Sequence, residues 1–253
     1  MKLIKWEKLP PEMQTDSVRR YYDILAKRKG GLLLNRIFDI VCSLILLLIL
    51  LPVFLILAIA IKIDSRGPVF YRQERITQYG KKFRIHKFRT MVQNADKGSQ
   101  VTTNNDSRIT RMGKIIRKCR LDEISQLIDV LQGTMTFVGT RPEVPKYVEH
   151  YTPEMLATLL LPAGVTSLAS IYYKDEAELL DAAEDTDKVY LEKILPGKMY
   201  YNLKSIEHFS FWKGVIGTMF KTVFAVLGKE YKPDKEGEEA FANELREKIE
   251  SKI

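Results

Sequence analysis

Asp122 and Glu123 are adjacent carboxylates that follow a decapeptide, residues 111–120, carrying five Lys or Arg side chains. A carboxylate is ionised at neutral pH and can attack a phosphorus centre without a base to activate it. What opposes the attack is repulsion by an anionic phosphate. Mg2+ and Lys or Arg side chains remove that obstacle by neutralising charge on the phosphoryl oxygens. Lys87, Arg89, Arg117 and Arg141 are the candidates for that task. An isolated Asp-Glu pair on a helix is ordinarily a solvated face; the cationic neighbourhood gives this one a second reading.

The elements that must hold these residues can be read from spacing. Leu121, Ile124, Leu127, Ile128 and Leu131 recur at helical intervals and predict a core-facing stripe, which leaves Asp122, Glu123 and Gln126 off it. Gly133 ends that helix, Met135 to Val138 suits a buried strand, and Gly139-Thr140-Arg141-Pro142 is a turn that brings one guanidinium back. Upstream, Val69-Phe70-Tyr71 and Lys82-Phe83-Arg84-Ile85 predict short strands joined through Gly80, continued by the basic, aromatic run His86 to Met91. Gln93 to Asn105 is polar and aperiodic and predicts a mobile loop. Downstream, Thr152-Pro153-Glu154 starts a helix that Pro162-Ala163-Gly164 breaks, and residues 174–194 predict an acidic helix. Phe209 to Leu227 is amphipathic and suits a membrane interface or a core equally, and a charged helical tail follows Lys232.

The run from Ile37 to Ile63 is apolar enough to demand lipid, with Pro52 in its middle and cations on both flanks. Each half, at about 1.5 Å per residue, spans roughly 18 Å against a hydrocarbon core of about 30 Å. Proline removes a donor and clashes with the carbonyl four residues back. Lys27, Arg28, Lys29 and Arg36 before the run and Lys62, Arg66, Arg72 and Arg75 after it place both ends in the cytoplasm by the positive-inside rule. A hairpin satisfies that and a straight span does not, although a kinked span is also compatible with proline in lipid. More than thirty residues precede the run and no small-residue cleavage site follows, so it is expected to remain in the mature chain. Before it, Val18, Tyr21, Tyr22 and Leu25 outline an amphipathic helix from Asp16 that ends near Gly30-Gly31, on the membrane surface or on the core.

Charge is unevenly placed. Residues 17–120 hold 22 Lys or Arg against 6 Asp or Glu, and residues 121–253 hold 15 against 23. A basic half around a lipid-seeking run points to anionic headgroups or a phosphate-bearing substrate. No helix-turn-helix, zinc knuckle or RNA-binding aromatic signature accompanies the charge, so nucleic acid is not an expected partner. Cys42 and Cys119 give no disulfide framework and His86, His150 and His208 no metal spacing.

From Asn35 to Thr222 the sequence resembles the bacterial monotopic phosphoglycosyl transferases, also called bacterial sugar transferases. The motifs are NRIFDIVCS, the interrupted run at Leu51-Pro52, IKIDSRGPVFYRQERI, HKFRTM, the stretch RITRMGKIIRKCRLDEISQLIDVLQGTMTFVGTRPE, and more weakly KMYYNLKSI. The resemblance implies a re-entrant membrane helix broken at Pro52 (residues 35–64), after an N-terminal amphipathic extension (1–34). It also implies a small mixed α/β cytoplasmic catalytic domain with interface helices (65–230), before a charged tail (231–253). It implies transfer of a sugar 1-phosphate from a nucleoside diphosphate sugar, typically a UDP-sugar, to polyprenyl phosphate, releasing UMP at the cytoplasmic face of a bacterial inner membrane. By that likeness Asp122 is the nucleophile that forms an aspartyl phosphosugar, Glu123 its partner, and Mg2+ bridges Asp122 and the diphosphate. Lys87 and Arg117 match basic positions near the site and Arg141 one that contacts the nucleotide. A homodimer is compatible with this reading.

The likeness has gaps. Thr140 replaces the first proline of a Val-Gly-Pro-Arg-Pro pattern, Leu161 to Leu168 departs from the usual Arg-Pro-Gly-hydrophobic-Thr-Gly-Trp loop, and Lys198 stands where an acidic residue is expected before Tyr200-Tyr201. These leave the sugar open. Asp185-Thr186-Asp187 spells the Asp-x-Asp of metal-dependent glycosyltransferases, which would release UDP, but it lies in an acidic run with no apolar strand before it. A non-enzymatic membrane scaffold would leave the dyad without a purpose. Phosphate-loop and dinucleotide fingerprints are both absent.

Overall fold

The computed structural model describes residues 1–93, 95, 108–176, 180 and 185–250, with the side chains of 246–250 excepted. The expected loop from Gln93 to Asn105 and the middle of the expected acidic helix lie largely outside the described residues.

Helix α1 (Asp16–Ala26) is capped by Thr15, whose hydroxyl accepts from the Val18 amide. Val18, Tyr21 and Leu25 are buried, so this amphipathic face packs on the core. Helix α2 (Lys29–Asp64) is 36 residues long. Gly30 and Gly31 therefore sit in its first turn instead of ending α1. One helix is assigned across Pro52, whose missing N–H removes a single ladder bond. By length and composition α2 is able to cross a membrane, and Leu48, Ile49, Leu55 and Ile56 on its middle turns are more than half exposed.

Both ends of α2 are fastened to the same α/β body. Near its start Asn35, Asp39 and Ser43, four residues apart on one ridge, are fully buried. The Asn35 amide donates to the Thr136 hydroxyl, and Asp39 accepts from that hydroxyl and from the Phe137 amide. Near its end Leu57 and Ile61 pack with Phe88 and Ile116.

Strands β1 (Phe70–Ile76) and β2 (Lys82–Phe88) form the antiparallel ribbon expected around Gly80, with Phe70 opposite Phe88 and Ile76 opposite Lys82. Helix α3 (Arg111–Lys118) follows, capped by Thr110 and by Asp64, which accepts from the Met112 amide. The dyad then lies on a single 3-10 segment, Leu121–Gln126, that continues into α4 (Leu127–Gln132). The expected stripe is corrected here. Ser125, Gln126, Leu127, Asp129 and Val130 are the buried residues, while Leu121, Ile124, Ile128 and Leu131 are half-buried. At three residues per turn the 3-10 segment advances the phase relative to a 3.6-residue helix, so the inward face rotates.

Strand β3 (Met135–Val138) pairs in parallel with β4 (Ala163–Thr166), a strand hidden in the sequence behind Pro162-Ala163-Gly164. Between them Met155–Leu160 is a 3-10 helix whose Met155 amide donates to the Thr152 hydroxyl. Towards the C-terminus come helix α5 (Leu195–Glu207), a π-helical turn (Phe211–Ile216), α6 (Gly217–Val226) and α7 (Lys235–Glu250). The tail helix α7 docks through buried Leu245, and its Glu238 accepts from the hydroxyls of Tyr173 and Tyr201.

Candidate active site

Strand β2 and the dyad segment are tied by buried polar contacts. Asp129 is 1% exposed and accepts from the His86 amide at 2.8 Å while its other oxygen meets His86 Nδ1 at 2.8 Å. The Ser125 hydroxyl donates to the His86 carbonyl. With His86 held twice, the next residue, Lys87, faces the dyad, and its ammonium lies 3.4 Å from Glu123.

Arg141 arrives from the other side. The Gly139 amide donates to Thr166 and the Gly164 amide to Thr140, so the turn after β3 is clamped to β4. A Cβ on Gly164 would lie 2.2 Å from the Gly139 backbone, so this close approach requires glycine. The turn delivers the Arg141 guanidinium to Glu123 at 2.5 Å. The expected return of Arg141 to the dyad is thus what the fold does.

The two carboxylates are shifted in opposite directions. Burial alone would raise the Glu123 pKa, but the charges of Arg141 and Lys87 and their hydrogen bonds outweigh it and hold it at about 2. Asp122 is pushed up, by burial first and by the Glu123 charge second, against the pull of Lys87 and Arg117. Among the described residues no neighbouring side chain hydrogen-bonds the Asp122 carboxylate. Burial pushes Lys87 down, with Glu123 opposing.

Arg117, on the last turn of α3, donates from Nε to the Thr90 hydroxyl and lies close enough to Asp122 to favour its ionised form. Arg89 is placed differently from the sequence expectation. It is 5% exposed, and its guanidinium donates to the carbonyls of Ile61, Ser65 and Arg66. Those carbonyls lie in and just beyond the last turn of α2, so Arg89 caps that helix end. Asp185 caps the short helix Thr186–Val189, and Asp187 accepts from Lys146 and from the Tyr147 hydroxyl, so both ends of the Asp-x-Asp tripeptide have structural partners.

Sequence reasoning missed a buried polar cluster beside Arg141. Glu143 accepts from the Tyr190 hydroxyl, and Lys198, 5% exposed, lies 3.8 Å from Glu143 and 3.0 Å from Glu176. Arg75 donates to the Pro142 carbonyl. The only sequence signals were Glu143 directly after Arg141-Pro142 and Lys198 at a position where an acid was expected.

Among the described residues no three His, Cys, Asp or Glu side chains gather around a point. A single oxygen donor such as Asp122 does fit a hard cation that takes one or two carboxylates and completes its shell with substrate phosphates and water, the habit of Mg2+.

Residues 31–229 match the family model for bacterial sugar transferases. The chain belongs to that family. Relatives include a UDP-N-acetylgalactosamine-undecaprenyl-phosphate N-acetylgalactosaminephosphotransferase of Aeromonas hydrophila, 34% identical over 198 residues, 77% of this chain and 44% of the relative. A UDP-glucose:undecaprenyl-phosphate glucose-1-phosphate transferase of Escherichia coli is 35% identical over 69% of this chain and 39% of its own length. An undecaprenyl-phosphate galactose phosphotransferase of Salmonella typhimurium is 31% identical over 83% of this chain and 44% of its own. The chain thus spans less than half the length of these relatives, and their differing sugars agree with a shared reaction on a variable donor.

Proposed function

We propose that this chain transfers a sugar 1-phosphate from a UDP-sugar to undecaprenyl phosphate at the cytoplasmic face of a bacterial inner membrane, beginning a surface glycan. The observation that carries the reading is the asymmetry of the dyad. Glu123 is ionised and held between Lys87 and Arg141, whereas Asp122 beside it has no hydrogen-bonding side-chain partner among the described residues and is open to attack.

An Asp122 carboxylate oxygen attacks the sugar-bearing phosphorus, the bond to the bridging oxygen breaks, and UMP leaves with the electron pair. The acceptor's phosphate oxygen then attacks the same phosphorus, the bond to Asp122 breaks, and the carboxylate is restored. Lys87 and Arg117 neutralise charge on the phosphoryl oxygens, and Arg141 fixes the Glu123 side chain while presenting its remaining donors to the nucleotide. Mg2+, when bound at Asp122, would further reduce charge on the diphosphate oxygens.

The placement of α2 supports a re-entrant anchor. At about 1.5 Å per residue a 36-residue helix is roughly 54 Å long, more than a bilayer core needs. Yet the ends near Asn35 and Ile61 both pack on one body, which cannot occupy both sides of a membrane. A helix that enters and returns to one face meets this constraint and the basic flanks together.

The test is UMP release from a panel of UDP-sugars with undecaprenyl phosphate and Mg2+, comparing the intact chain with Asp122→Asn. UMP from one sugar, and none from the variant, is the expected result. UDP as product, or full activity in Asp122→Asn, would overturn the proposal.

A further inference from the structure

A cavity of about 300 Å3 lies between the end of β3, α5 and the π-turn with α6, and none of Lys87, Asp122, Glu123 or Arg141 lines it. Its interior is formed by buried residues, among them Ile206, Phe209, Val215 and Thr218. Exposed Lys213 and Lys221 stand at its border with His208, and no carboxylate lines it. Lys204, also at the border, is paired with Asp234, but Lys213 and Lys221 have no ion-pair partner among the described residues.

Two glycines line this space. A Cβ on Gly214 would meet nothing within 4 Å, and one on Gly217 only the Trp212 carbonyl at 4.0 Å. Glycine inside a helix costs about 1 kcal/mol relative to alanine, and no crowding here demands it. An exposed apolar surface adjoins the cavity. Trp212, Phe220, Val223 and Phe224 are exposed on the same π-turn and helix, and Phe211 packs edge-on against Phe38 of α2.

We infer that this cavity binds an anionic phospholipid of the surrounding bilayer, one acyl chain inside and the headgroup phosphate on Lys213 and Lys221. Apolar walls with a cationic, carboxylate-free border match that amphiphile. The acceptor is a poorer occupant, because its phosphate must lie at Asp122 and would leave both lysines without an anion. A chain in the cavity packs on Gly139 and Thr140, the residues that lead into Arg141, and so braces the turn that holds Glu123. The inference rests on the membrane placement proposed above, not on the chemistry.

The experiment is native mass spectrometry of the full chain in nonionic detergent, titrated with phosphatidylglycerol or phosphatidylcholine. One phosphatidylglycerol should be retained, at least about tenfold more tightly than phosphatidylcholine, and Lys213→Glu with Lys221→Glu should erase that preference. Gly217→Leu fills the space while improving helix propensity, so it should lose the bound lipid with its melting temperature held or raised. Equal retention of the two lipids, or retention by Gly217→Leu, would overturn the assignment. Stoichiometric displacement by undecaprenyl phosphate would overturn it too, by making the cavity the acceptor's. No turnover is measured, so failure here is separable from failure of the transferase reading.

Discussion

Glu123 and Asp122 are neighbours with opposed perturbations, and pH should separate them. As the proposed nucleophile, Asp122 would have to be ionised to attack, so the acid limb of the rate profile is expected above the ordinary carboxylate value. Glu123→Gln removes the adjacent negative charge that raises Asp122, so this limb should move to lower pH in a pH–kcat/KM profile, with the rate falling about a hundredfold. For stability the sign at Glu123 is that of a depressed acid. Its folded value of about 2 against the ordinary 4.5 means that its stabilisation is complete above pH 4.5 and is lost as pH falls toward 2. Acid-unfolding curves of Glu123→Gln should lack that portion. Arg120, just before the dyad, sits at φ 52°, the left-handed position that commonly ends a helix with glycine. Arg120→Gly should melt at or above the parent temperature, and Arg120→Ile should cost about 1–2 kcal/mol.

Elements act on this site through close backbone approach. The β3–β4 pair is short, yet it fixes Arg141 because Gly164 and Gly139 let the two chains meet. Gly164→Ala would force them apart at the turn carrying the guanidinium. A loss of about 1–3 kcal/mol is expected, together with a lower kcat, since Arg141 would release Glu123. Activity retained alongside the lowered melting temperature would show that the turn does not position Arg141. The 3-10 geometry of Leu121–Gln126 belongs to the same scale. It turns Ser125 and Gln126 inward, where Ser125 ties the segment to His86, and leaves Asp122 half-buried.

Across the molecule, the governing feature is a 36-residue apolar helix held at both ends by one body. With Cys42→Ala and Cys119→Ser as background, single cysteines at Gly30 and Glu74 flank the apolar run, and each parent residue has room for the change: a side chain at Gly30 meets nothing within 4 Å, and Glu74 is exposed. In intact cells neither should react with a membrane-impermeant maleimide, and both should after permeabilisation. Reaction of either one from outside would establish a crossing helix. The strongly basic first half suits the proposed arrangement, in which it would gather at a lipid surface the charge that attracts phosphates.

Much of this was legible in the residues. The apolar run, the β1–β2 ribbon around Gly80, the strand after Gly133 and the turn that carries Arg141 follow from local periodicity and turn chemistry, which are properties of neighbouring residues, while the family resemblance points to Lys87 and Arg117 as basic positions near Asp122-Glu123. Other features depend on contacts between residues far apart in the chain, and only the tertiary structure decided them. Arg89 reads as one more cation until the C-terminal carbonyls of α2 surround it, and nothing in the local sequence pairs Asp129 with His86, 43 residues away. The parallel β3–β4 pairing and the Glu143–Lys198 cluster likewise join segments that no local pattern links. The difference between Asp122 and Glu123 was set in the same way. Adjacent carboxylates are alike in sequence, and only the folded positions of Lys87 and Arg141 determine which is ion-paired and which is left without a side-chain partner among the described residues.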